Sequence, residues 1–239
     1  MLRLSTDEGR SWNDAVSCVA GEGYYVMNND RAVLLKSGRI VLPLARHGKA
    51  GEKRGVRGTF LCALSDNGGR TWRKSATELE GPETSRTGLQ EPAVIELKDG
   101  RLMMLARTDM GCQYRSTSKD GGETWSPAES SNILSPVSPA SIARIPSTGD
   151  LLLVWNDHDG VDEAHKGKRT PFCAAISRDE GKTWEKKKVL DDDPDGWFCY
   201  TAIAFSDGRV LLAHCAGDAK VGRLARTRFT SFDIAWLYR

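Results

Sequence analysis

The sequence lacks the features of a helical protein, a membrane span or a metal site. No stretch sustains an apolar period of 3.6 residues with helix caps, so helix is expected to be nearly absent. No apolar run approaches the roughly 20 residues that a bilayer-crossing helix needs, so no membrane span is expected. The opening residues, Met1-Leu2-Arg3-Leu4-Ser5, show no signal-peptide pattern. Charge of one sign is not in excess. The net charge is +2 over 239 residues, and a nucleic-acid binder would show a clustered basic face. The runs Lys186-Lys187-Lys188 and Asp191-Asp192-Asp193 are expected in a solvated loop. None of the six cysteines forms a C-x-x-C pair, and His47, His158, His165 and His214 lack ligand spacing. No metal and no cofactor are therefore expected. Cysteines within apolar patterns, as in Phe60-Leu61-Cys62-Ala63-Leu64, are expected to be buried free thiols. That slightly favours a reducing, cytoplasmic compartment, with an extracellular location open for a longer parent chain. Oligomeric state is left open.

What the sequence does have is an internal repeat. Four segments share the form Ser-x-Asp-x-Gly-x-Thr-Trp: 5–12, 65–72, 118–125 and 177–184. Ser11 takes the Thr place in the first and Asn67 the Asp place in the second. The spacings are 60, 53 and 59 residues. Asp and Asn side chains accept hydrogen bonds from nearby backbone N–H groups and so stabilise a turn. The glycine permits a positive φ, and the Trp can anchor the turn on a neighbouring sheet.

A second repeat lies between these turns. Ala32 to Leu42 is matched by Ala93 to Met103, Ser141 to Leu153 and Ala202 to Leu212. Each reads as a strand, a tight turn at Gly38, Gly100, Gly149 or Gly208, and a second strand. Each unit then continues through a variable loop, a third strand, the Ser-x-Asp turn and a fourth strand. Four antiparallel strands per unit, repeated at this spacing, make a β-propeller blade. The expected fold is all-β: about four and a half blades in one incomplete domain spanning 1–239. The units are about 1–25 (strands three and four only), 28–88, 89–136, 137–196 and 197–239. The chain is accordingly expected to begin inside the domain.

Topology separates two faces. The Ser-x-Asp turns join strands three and four, which puts them on one face with a structural role. Strand-one starts and strand-two ends meet on the other face. They bring together Asp30, Arg31, Glu91, Ser138 and Tyr200 with Arg46, His47, Arg107, Asn156, Asp157 and His214, and Arg169 begins strand three of its unit. Convergent polar groups in a concavity are what a binding or catalytic site needs.

The repeated turn resembles the Asp-box, or BNR repeat, of the sialidase (neuraminidase) family. The segment from Gln90-Glu91-Pro92-Ala93 to Leu105-Ala106-Arg107 is similar to the family's strand pair that opens on a functional Glu and closes on a substrate-binding Arg. The resemblance covers essentially the whole chain, and the family's propellers have six blades. It implies retaining hydrolysis of terminal α-linked sialic acids through a Tyr nucleophile, an exception among glycosidases. Such a substrate carries a carboxylate at its reacting carbon, which would repel an anionic nucleophile but not a phenol. A phenol with an ordinary pKa near 10 needs a base beside it. The resemblance assigns the nucleophile to Tyr200, with Phe198 close enough in register to leave the alignment open, and the base to Glu91. Arg107 and Arg169 match two of the three arginines that hold the substrate carboxylate. Planar guanidinium forks suit that task.

The family's remaining Arg and its acid/base Asp lie upstream of the first Asp-box. Their absence here leads to an expectation of impaired activity, since general acid catalysis contributes about 10²–10⁴-fold. Asp30 and Arg31 are expected as secondary residues that bind the substrate or a neighbouring Arg, with substitution for the missing pair as the alternative. Asp-boxes also occur in other propellers. Two other readings therefore stay open: a non-catalytic glycan-binding propeller and a structural interaction propeller. A uronic acid is an allowed substrate beside a sialylated glycan, because the arginine argument requires only a carboxylate.

Overall fold

The run Leu151-Leu152-Leu153-Val154-Trp155 shows how this chain folds. Side chains of a strand alternate between two faces, and an all-apolar strand must bury both. Leu152 and Val154 enter one buried cluster, while Leu151, Leu153 and Trp155 enter others on the opposite face. Leu102 to Ala106 divides in the same way between two neighbours. Sheets sandwiched between sheets, each joined to the next by a short connection, give the propeller arrangement.

The computed structural model describes residues 1–21, 23–48 and 55–239. The first sheet holds β1 (Tyr24–Val26), β2 (Val33–Leu34), β3 (Ile40–His47), β4 (Gly58–Ser65), β5 (Arg73–Lys74) and β6 (Leu79–Glu80). Both β1 and β2 pair with β3, and both β5 and β6 pair with β4. The six pieces therefore occupy four strand positions, with the first and last interrupted. The second sheet is β7 (Gln90–Glu96), β8 (Leu102–Arg107), β9 (Cys112–Ser118) and β10 (Glu129–Leu134). The third is β11 (Ser141–Arg144), β12 (Leu151–Asn156), β13 (Phe172–Ser177) and β14 (Glu185–Asp191). The fourth is β15 (Trp197–Ser206), β16 (Arg209–Gly217) and β17 (Thr227–Asp233), followed by a 3₁₀ turn, Ile234–Tyr238. All the ladders are antiparallel.

The result is the expected all-β propeller, with four blades among the described residues where about four and a half were expected. Among the described residues of the expected N-terminal half-blade, Leu2 and Val16 form an isolated bridge across the first Ser-x-Asp turn. Tyr24–Val26, read as the end of that half-blade, pairs with Ala45 to His47 of the next sheet instead. The fourth blade has three strands where four were expected. The lysine run is not in a loop: Lys186 to Lys188 lie on β14, an outer strand, with Lys186 and Lys187 exposed and Lys188 half-buried. Lys187 reaches Asp157 at 2.6 Å, and Lys188 donates to the carbonyl of Arg239 at 2.7 Å.

The four Ser-x-Asp turns share their Ser and Asp or Asn hydrogen bonds, and the first three also share a bond from the Trp ring nitrogen to the Gly carbonyl. In the third, the Ser118 hydroxyl donates to Asp120 at 2.8 Å and accepts from Gly122 N–H at 2.9 Å. Asp120 also accepts from the Thr124 N–H at 2.9 Å. Trp125 Nε1 donates to the Gly122 carbonyl at 3.0 Å and is buried in the cluster between the first two blades. Gly122 has φ +91°, a conformation that disfavours a side chain, and a Cβ there would lie in van der Waals range of Leu64 and Leu102 of the neighbouring strands. The turns follow β4, β9 and β13, so they lie on the face away from the starts of β7 and β15. All six cysteines are free thiols, and Cys215 alone is partly exposed.

Candidate functional site

Two innermost strands begin with the same distortion. The pairing of β7 with β8 shifts register between Gln90 and Ala93, and that of β15 with β16 between Cys199 and Ala202. At these bulges Glu91 has φ +48° and Tyr200 has φ +55°. Asp30, two residues before Ala32 as Glu91 is before Ala93 and Tyr200 before Ala202, has φ +57°. A left-handed non-glycine residue costs about 1–3 kcal/mol, persists only where its surroundings over-determine it, and is enriched at functional sites. Bulges re-aim side chains, and here they turn a carboxylate and a phenol toward one another.

The Tyr200 hydroxyl donates to Glu91 Oε1 at 2.8 Å. Arg107, from the end of β8, holds the other carboxylate oxygen at 2.5 Å and also donates to Gln90 Oε1. Gln90 in turn donates to the carbonyl of Val56. Glu91 is thus fixed on both oxygens. Phe198, the neighbouring aromatic in the sequence, is buried in the core against Phe172 and His214. Burial, followed by the Glu91 charge and hydrogen bond, pushes the Tyr200 phenol above its usual pKa, with Arg169 opposing. The phenol is therefore protonated at neutral pH and needs an acceptor to react.

Arg169 lies just before β13 and is 8% exposed. Its guanidinium sits 5.4 Å from the centre of the Tyr200 ring and 5.0 Å from that of Trp197, within cation–π range. Its Nε and Nη1 are buried without a hydrogen-bond partner, as is Nε of Arg107. Leaving buried charged donors unpaired is expensive, so this corner is set up for an acceptor with negative charge. Beside Arg169, burial pushes the Cys199 thiol up to about 12, with the guanidinium opposing, so sulfur stays protonated and unreactive. A cleft of about 450 Å³ opens beside Tyr200, lined also by Asn28, Asn29, His214 and Thr227.

Asp30 and Arg31 come to the same centre, where the Asp30 carboxylate and both Arg31 Nη groups bond to protein while the buried Arg31 Nε has no partner. Asp30 Oδ2 accepts from the Ile203 N–H at 2.8 Å. Arg31, 4% exposed, donates to Ser141 Oγ at 3.2 Å and to the carbonyl of Ala140 at 2.9 Å. Burial pulls its pKa down to about 10, opposed by Asp30 and Glu91, so it stays charged at neutral pH. The sequence reading missed Gln90, Asn29 and Ser141. Gln90 was the most accessible, since it adjoins Glu91 directly opposite Arg107. Other polar residues of this face are engaged elsewhere. Arg46 pairs with Glu78 at 2.7 Å, and His214 contacts Thr230 at 3.1 Å.

A BNR repeat-like domain model matches residues 1–214. A sialidase of Micromonospora viridifaciens is 29% identical over 187 residues, covering 74% of this chain and 26% of the relative. An anhydrosialidase of Macrobdella decora is 25% identical over 237 residues, covering 89% of this chain and 29% of the relative. The chain thus spans less than a third of the length of these curated relatives. Among solved structures, the intramolecular trans-sialidase of Ruminococcus gnavus superposes with a TM-score of 0.69 at 20% identity. That match covers 98% of this chain and 50% of that one, and is a likeness of fold. With four Asp-box turns, four antiparallel blades and a family match over most of its length, the chain belongs to the BNR repeat-like family as a sialidase-type β-propeller.

Proposed function

We propose that this site performs the covalent half of a retaining sialidase reaction on a terminal α-linked sialic acid or a related acidic sugar. The observation that carries the reading is the Tyr200–Glu91–Arg107 chain, in which a half-buried phenol donates to a carboxylate at 2.8 Å. In the first step the Tyr200 oxygen attacks the anomeric carbon. Its proton passes to Glu91 while the glycosidic C–O bond breaks. The resulting aryl glycoside is then attacked by water, whose released proton goes to the conjugate base of the separate acid that served the leaving oxygen, while Glu91 returns its proton to the departing phenolate. Arg107 keeps Glu91 oriented toward the phenol, which suits a general base.

Substrate choice follows from charge. Two guanidiniums, Arg107 and Arg169, face one carboxylate, Glu91, and one positive charge is left for the ligand. The unpaired nitrogens of both arginines favour a carboxylate. Asp30 and Arg31 offset one another and do not alter this balance. Protonation of the leaving oxygen requires a separate acid. The Asp30 carboxylate is committed to Ile203 N–H, so it is not assigned that role.

The test uses a substrate that needs no general acid. A sialosyl fluoride bearing a second fluorine at C3 has a leaving group that departs unprotonated, and the added fluorine slows release of the covalent product. Intact mass and peptide mapping should find the sugar on Tyr200, with no labelling of Tyr200→Phe. A uronosyl fluoride run in parallel sets the sugar class. Saturable binding of sialic acid with no label on Tyr200 would replace this reading with that of a glycan-binding propeller.

A further inference from the structure

The bulge that aims Tyr200 leaves backbone groups without partners in the β15–β16 ladder, because pairing stops at Cys199 and resumes at Ala202. Backbone groups left out of a ladder bond instead to side chains, other backbone or water, and here only the Thr201 carbonyl is met in a buried place. They are met by consecutive residues of the first blade, reaching across the ring. Asn29 Nδ2 donates to the carbonyl of Tyr200 at 3.0 Å. Asp30 Oδ2 accepts from the N–H of Ile203 at 2.8 Å. The carbonyl of Thr201 is taken by Ser141 Oγ at 2.7 Å, and that hydroxyl is itself held by Arg31 at 3.2 Å. Asn29, Asp30 and, through Ser141, Arg31 thus engage three of the four residues from Tyr200 to Ile203. Asp30 is itself left-handed, in the turn two residues before Ala32 as Tyr200 is two before Ala202.

We propose that Asn29 and Asp30 are positioning residues that hold Tyr200 in its left-handed bulge and so keep the phenol on Glu91. An extended Tyr200 would relieve the strained φ and turn its side chain to another face of β15. Two side chains from the opposite blade prevent this by holding the carbonyl at one end of the bulge and the N–H at the other. Asp30 acts through its acceptor oxygen rather than its charge, and touches neither sugar nor proton. The inference rests on the role given to Tyr200 above for its catalytic meaning, but its geometric content does not.

The test compares Asp30→Ala, Asp30→Asn and Asn29→Ala. Asparagine keeps an acceptor for Ile203 N–H and loses the charge, whereas alanine loses both. Labelling of Tyr200 by the difluorinated sialosyl probe should slow about tenfold or more in Asp30→Ala and Asn29→Ala, as misplacement of a reacting group does. Asp30→Asn should recover most of the rate. Independently, the Tyr200 phenol can be followed by ¹³Cζ-tyrosine NMR, its signal assigned by its loss in Tyr200→Phe. In the two alanine variants the phenol should titrate closer to the ordinary value near 10, and in Asp30→Asn it should remain above it. Wild-type titration in both alanine variants would overturn the inference. So would an Asp30→Asn variant as impaired as Asp30→Ala, which would assign the effect to charge. If the unaltered chain is not labelled at all, the proposed reaction fails, and the NMR titration still decides the positioning role. Asn29→Ala removes one hydrogen bond to a carbonyl, and provides the folded comparison should Asp30→Ala not fold.

Discussion

Arg107 and Arg169 are the same residue type in different electrical settings, and under the proposed function that difference would separate binding from chemistry. Arg107 donates to Glu91 and to Gln90 and keeps only Nε unpaired. Arg169 has two buried nitrogens unpaired and lies over two aromatic rings. Lysine supplies a charge to either place but no planar fork. Arg169→Lys is therefore expected to weaken the binding of free sialic acid by the worth of a charge-assisted hydrogen bond. That is about 1.5–3 kcal/mol, or roughly 10- to 100-fold, with little change in the Tyr200 titration. Arg107→Lys should weaken binding and also disturb Glu91, so the Tyr200 phenol signal should move in that variant. Equal effects of both substitutions on both measurements would show that the two arginines share one role.

At the level of elements, the Asp-box turn is a small electrostatic device repeated four times. Hydrogen bonds from the Thr183 hydroxyl and N–H, with Ser177 adding to them, lower the Asp179 pKa to about 2 from an ordinary 3.8. A carboxylate whose folded pKa is depressed stabilises the fold above its unfolded pKa, and that contribution is lost as pH falls through the folded value. The window here runs from about pH 4 to pH 2. The second box provides an internal control. Asn67 accepts from Thr71 N–H at 2.9 Å, but its amide donates to the Thr71 hydroxyl at 2.8 Å, so it has the same shape and no titration. Asp179→Asn should flatten the acid limb of a urea-midpoint profile, and Asn67→Asp should steepen it. An unchanged slope in both would mean the turns do not report on global stability. These turns were legible in the sequence because their hydrogen bonds are local, set by residues two and four apart. The hairpins were legible for the same reason, and they placed Glu91 and Arg107 at one mouth. Broken strands were not legible: β1 and β2 share one partner strand, and no local pattern tells which neighbour a three-residue strand will join. Nor was the use of Asp30 and Arg31, whose partners lie 173 and 110 residues away in the chain.

Across the whole molecule, stability is divided among the seams between blades. One buried cluster joins the first and second blades around Phe60, Leu64, Met104 and Trp125. Another joins the third and fourth around Val154, Phe172, Phe198 and Leu237, and shares no residue with the first. Phe60 is fully buried and meets the Trp125 ring edge-on, with centroids 5.0 Å apart, so an Asp-box Trp of one blade completes the core of its neighbour. Removing that side chain by Phe60→Ala should cost about 3–5 kcal/mol. Phe229 is 83% exposed on β17, and Phe229→Ala should stay within about 0.5 kcal/mol. Because the seams are separate, the Phe60 variant should lose amide protection mainly in β3, β4 and β8, while β12, β13 and β16 keep theirs, as expected when a structure opens in contiguous units. Hydrogen exchange resolved by peptide decides this. A uniform loss of protection through all four sheets would mean that the ring unfolds as one body and that its separate cores are thermodynamically one.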